Sequence, residues 1–146
     1  MTTIFAVVLV AHFIGDFVCQ TDYMAVNKSK HWDALALHVL VYGAAIAATI
    51  ALAVVAGAIP ASDRWFEWVG INMAMHFVTD AITSRITSRL WFLPFVANLP
   101  QGTAVTNDEV IVVRFKPTRH WFFVCIGADQ LIHMLTLVYT LEYFLS

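Results

Sequence analysis

Three histidine–aspartate pairs interrupt an otherwise apolar chain: His12 with Asp16, His76 with Asp80, and Asp129 with His133. Each pair is spaced by four, which puts both side chains on one helical face, a turn apart. His38 adds a fourth imidazole; Gln20, Asn72 and Gln130 add amides at or next to the same phase. Imidazole with carboxylate suits Zn, Fe or Mn, and the lack of a close cysteine pair argues against a thiolate site. The candidate ligands of a divalent metal are His12, His38, His76, Asp129 and His133. Asp16 and Asp80 are the candidate general bases. Gln20, Asn72 and Gln130 are expected to orient carboxylates or to touch substrate. Four histidines and three aspartates exceed the four ligands of one tetrahedral ion, so either two ions share the site or some groups sit behind the ligands.

Those groups need helices to carry them. The chain has 146 residues, 60% hydrophobic and 12% charged, with a mean hydropathy of +0.75. Soluble domains run nearer 45–50% apolar and about a quarter charged. The departure excludes a disordered chain and points to an integral membrane protein. A net charge of −2 gives no basic field for nucleic acid. The pattern predicts an all-α, polytopic membrane protein, a four-transmembrane-helix bundle forming one domain over residues 1–146. Its spans are expected at about 3–22, 32–59, 65–83 and 121–145, with one long cytoplasmic loop at about 93–119. EVIVVRF in that loop alternates as a short strand or hairpin would. ITSRITSRLWF reads either as an extension of span three with snorkelling arginines or as an interfacial helix. The first seventeen residues lack a basic leader region and hold a His and an Asp, so they read as a retained helix. Cys19 and Cys125 lie in apolar runs and say little about redox compartment.

Basic residues sort by side. Lys28 and Lys30 follow span one; Arg85, Arg89, Arg114, Lys116 and Arg119 follow span three; Arg64 alone follows span two. Seven against one places the first and third loops in the cytoplasm and both termini outside, as expected for a multi-pass protein of the bacterial inner membrane. Trp32 and Trp121 then open spans at the inner surface, Trp65 and Trp68 at the outer. His31 and His120 read as interfacial. Counting inward at 1.5 Å per residue, the His and Asp groups fall in a slab roughly 10–15 Å deep in the cytoplasmic half. Each unpaired charge there costs at least ~2.5–3.5 kcal/mol, so one shared site is the economical arrangement. The competing reading is a network that merely glues helices, each bond contributing well under ~2 kcal/mol.

The ordered motifs are His12-x3-Asp16-Phe17-x2-Gln20, Lys28-x9-His38, His76-x3-Asp80 and Asp129-Gln130-x2-His133. In this combination, spread over nearly the whole chain, the sequence resembles a family of small bacterial and phage membrane proteins known as a domain of unknown function. Relatives often carry a Lys soon after the third-span Asp, where this chain has Ser84 and Arg85. The resemblance implies a fold and a site but no reaction.

Three functions fit. The first is a metal-dependent hydrolase acting on a membrane-associated substrate, with Lys28 and Arg85 holding a phosphate head group. The second is a proton or metal-ion transporter or channel subunit, since intramembrane ionisable groups commonly mark ion pathways. The third is an interaction protein without catalysis. The lipid bilayer is the expected partner in all three, with a homo-oligomer open and nucleic acid excluded.

Overall fold

The computed structural model describes residues 2–92 and 119–145. The expected loop at 93–119, with its strand or hairpin, lies outside the described residues apart from Arg119. All described regular structure is helical: α1 (Thr2–Phe13), a π-helical turn (Ile14–Val18), α2 (Asp22–Asn27), α3 (Trp32–Val55), α4 (Arg64–Phe92) and α5 (Arg119–Leu145).

Where one helix was expected over 3–22, the first helix ends at Val18 in a π-helical turn and α2 starts afresh at Asp22. The wide turn is marked by Cys19 N–H donating to Ile14 O, five residues back, at 2.9 Å. Thr21 then adopts an extended backbone and its hydroxyl accepts from Met24 N–H at 3.4 Å, capping α2. Lys28, at the end of α2, is thereby turned back toward the helices. α3 stops at Val55, short of the expected 59, because Gly57 takes φ +70°. Gly57 N–H bonds Val54 O and Ala58 N–H bonds Ala53 O, satisfying carbonyls the helix end leaves free. α4 continues unbroken for 29 residues, so ITSRITSRLWF extends that helix rather than forming a separate one.

α3 packs on α1, the wide turn and α2 along one side and on α4 along the other; α4 packs on α5, which reaches back to α1. Two close approaches depend on glycine. A Cβ on Gly15 would meet the Tyr42 ring at 2.9 Å and its carbonyl at 3.1 Å, and one on Gly43 would run into Met73. At the end remote from α2, Val8, Ile46, Ile50, Trp68, Leu137 and Leu141 form an apolar core. Trp65 and Trp68 belong to that core and not to a surface belt: Trp68 is fully buried, and Trp65 donates to Pro60 O at 3.0 Å. Trp32 and Trp121 are exposed, at 60% and 61%.

Toward α2 the interior turns polar, and His12, Asp16, His38, His76, Asp80 and His133 are all buried. The outer surface is the reverse, with Val55 86% and Phe66 82% exposed. Among the described residues, α3 and the Trp121–Phe144 part of α5 are long and apolar enough to cross a membrane, with mean hydropathies of 2.1 and 1.6.

Candidate metal centre

Each long helix contributes through the face that the four-residue spacing defines. α1 supplies His12, the wide turn Asp16, α3 His38 and Tyr42, α4 His76, Asp80 and Thr83, and α5 Asp129, Gln130 and His133. Four atoms converge at the centre: Asp16 Oδ1, His38 Nε2, His76 Nε2 and Asp80 Oδ2. His38 Nε2 lies 3.0 Å from His76 Nε2, 3.1 Å from Asp16 Oδ1 and 3.2 Å from Asp80 Oδ2. His76 Nε2 lies 3.5 Å from Asp16 Oδ1 and 3.7 Å from Asp80 Oδ2. A tetrahedral ion with bonds of about 2.0–2.1 Å requires donor–donor edges of about 3.3–3.4 Å. These five edges bracket that value.

Asp16 Oδ1 supports the same reading. It is buried and has no hydrogen-bond partner among the described residues, although two imidazole nitrogens lie close by. A buried carboxylate oxygen in that condition is costly unless a cation takes it up. The partner oxygen is held in place: Asp16 Oδ2 accepts from Gln130 Nε2 at 2.8 Å. His38 Nδ1 is also buried without a partner, and nothing in the structure accounts for it.

A second group, Asp80, Asp129 and His133, adjoins the first through Asp80. His133 Nε2 lies 3.2 Å from Asp80 Oδ1 and 3.5 Å from Asp129 Oδ1. His133 Nδ1 faces His76 Nδ1 at 3.1 Å. Asp129 accepts from Thr83 Oγ1 at 2.6 Å and from Gln130 Nε2 at 3.2 Å. Lys28 supplies a cation to the cluster: its Nζ donates to Asp80 Oδ2 at 2.8 Å and lies 3.4 Å from His38 Nε2. Three carboxylates against one ammonium leave two negative charges in excess when the histidines are neutral. One divalent ion balances that excess, and buried charge demands such balance.

A cleft of about 400 Å³ opens onto this centre from the side of α2. Asp16, Asp80, Asp129 and Gln130 line its floor; Lys28, Ser29, Lys30, Ser84 and Thr87 line its walls, together with Phe17, Phe122 and Ile126.

The structure brings His38, His76, Asp129 and His133 together as candidate ligands, with Asp16 and Asp80 inside the donor set rather than beside it. His12 stands outside both groups, Nε2 at 3.1 Å from Gln130 Oε1 and Nδ1 at 3.3 Å from Tyr42 Oη. Gln20 lies at the edge: with its amide nitrogen toward Asp16 O, its oxygen accepts from Lys28 Nζ at 3.2 Å. Asn72 is elsewhere, bonded to Trp68 O and Thr140 Oγ1, and links α4 to α5. Arg85 lies outside the cleft, its guanidinium 3.9 Å from the Trp32 ring centre. Sequence reading passed over two contributors. Tyr42 stacks on His76 with ring centres 3.8 Å apart, and Thr83 holds Asp129. The four-residue step from His38 to Tyr42 was the available signal.

No curated protein and no solved structure matches the chain. The family model described as "Protein of unknown function (DUF3307)" matches residues 4–146. Matched over nearly its whole length, the chain belongs to the DUF3307 family.

Proposed function

We propose that this is a four-span protein of the bacterial inner membrane, both termini outside, which binds a divalent metal and hydrolyses a membrane-associated substrate. The observation that carries the reading is a set of four buried donor groups within reach of one ion, two of which, Asp16 and Asp80, line a cleft. The polar interior and the apolar exterior favour a lipid surround, since monomeric soluble proteins rarely expose large apolar patches. Seven of the eight basic residues follow the first or the third expected span, which supports the orientation.

Asp16, His38, His76 and Asp80 would hold Zn, Fe or Mn. A divalent ion lowers the pKa of bound water toward neutrality and so makes hydroxide available. Asp129 takes the part of proton acceptor, because it lines the cleft while Asp16 and Asp80 each have an oxygen in the donor set. Thr83 and Gln130 fix its orientation. The cleft pairs apolar walls with Lys28 and Lys30, which suits a substrate with a lipid-like body and an anionic head. Beyond the cluster the interior is mainly apolar, which disfavours transport by a single chain.

The test is elemental analysis of detergent-purified protein, followed by assay against lipid-linked phosphoesters in mixed micelles. Bound Zn, Fe or Mn, lost in His76→Ala, and a chelator-sensitive hydrolysis are expected. Protein that stays metal-free after metal-replete purification overturns the proposal. A second reading, a proton relay, rests on the contact chain from Lys28 through Asp80 to His133. Proton flux in liposomes carrying metal-free protein would favour it.

A further inference from the structure

Whether the Asp80–Asp129–His133 group holds a second ion is decided by where the imidazole protons sit. A neutral imidazole carries one proton, so a ring bound to metal through one nitrogen keeps its proton on the other. With an ion on His76 Nε2, the His76 proton is on Nδ1, pointing at His133 Nδ1 3.1 Å away. His133 Nδ1 must then accept, which puts the His133 proton on Nε2, facing Asp80 Oδ1 at 3.2 Å. Each contact in this sequence has one donor and one acceptor. A second ion on His133 Nε2 would force both protons onto the two Nδ1 atoms, leaving two donors opposed at 3.1 Å with nothing between them.

Charge gives the same answer by a separate route. One divalent ion neutralises Asp16, Asp80, Asp129 and Lys28 together, whereas two would leave a buried excess of two positive charges. Resting on the metal reading above, we propose that the centre is mononuclear and that His133 is a positioning residue. Through one hydrogen bond to Asp80 and one from His76, it sets the tautomer of His76 and aims Nε2 at the ion. Carboxylates and carbonyls behind metal-bound histidines act in this way, and their loss typically weakens metal affinity by about 10–100-fold. Here the carboxylate is itself a ligand, so Asp80 and His76 are locked to each other through His133.

The experiment titrates Zn²⁺ or Co²⁺ into the detergent-purified full chain and reads stoichiometry, affinity and the visible absorption of bound Co²⁺. Wild type is expected to bind one equivalent. His133→Leu should still bind one, about 10–100-fold more weakly, with the four-coordinate Co²⁺ spectrum retained. Asp129→Asn, on the cleft floor, should also keep one equivalent and covers the case in which His133→Leu does not fold. Two equivalents in wild type, reduced to one in either variant, would overturn the proposal and make His133 a ligand. Unchanged affinity in His133→Leu would overturn it too. Zero equivalents in wild type would remove the metal reading and this inference with it, an outcome distinct from the others.

Discussion

Asp16→Asn separates a metal ligand from a helix-gluing carboxylate by the sign of its effect. The change keeps shape, so no cavity forms, and the amide oxygen can still accept from Gln130 Nε2, now 2.8 Å from Asp16 Oδ2. What disappears is charge. One carboxylate oxygen of Asp16 and one of Asp80 lie within 4.8 Å of each other. At an effective dielectric near 20, two like charges at that separation repel by about 3 kcal/mol. Lys28 offsets part of this, so in chelator the variant should be more stable than wild type by about 1–3 kcal/mol. With free ion at about 1,000 times Kd, the wild type gains about 4.1 kcal/mol through linkage and the variant gains little. The order of stability therefore reverses. Melting curves of purified protein, with chelator and with saturating Zn²⁺, should cross by several degrees, at roughly 2–4 °C per kcal/mol for a chain of this size. A difference of the same sign and size in both conditions refutes the ligand assignment. If Asp16 were glue, the amide would serve nearly as well and metal would be irrelevant.

Gly15→Ala should cost about 1–3 kcal/mol, because its new methyl meets the Tyr42 ring and carbonyl and pushes the Asp16 turn away from α3. Metal content should fall together with melting temperature, and a variant with full metal content would show that the wide turn does not position Asp16. Orientation is checked by labelling with a membrane-impermeant thiol reagent in whole cells in which the native cysteines are replaced. A cysteine at Ser62 should react and one at Ser29 should not; the reverse pattern would move the cleft to the outer leaflet.

The helical character and the inward faces were legible because they are local and periodic. His12, Asp16, His76, Asp80, Asp129 and His133 announce themselves as paired residues one turn apart in apolar surroundings, where an isolated polar group is costly. Helical phase sets the direction in which a side chain leaves its axis. It does not set depth, rotamer or the partner on the next helix. For that reason periodicity could not separate Asn72, which bonds Trp68 and Thr140, from His76 one turn along. Nor could it distinguish His12, which reaches Gln130 and Tyr42, from the histidines whose Nε2 atoms converge. Composition marked Trp65 and Trp68 as surface anchors, but packing against one another and the apolar core buried them. Lys28 was read as a loop charge that holds a phosphate head group, not as a partner of Asp80. The break after Val18 and the cap at Thr21 swing α2 back so that its ammonium meets Asp80. Residue types and spacing thus determined which groups face inward. The wide turn, the glycine contacts and the pairing of α3, α4 and α5 decided which atoms meet, since those distances depend on several helices at once.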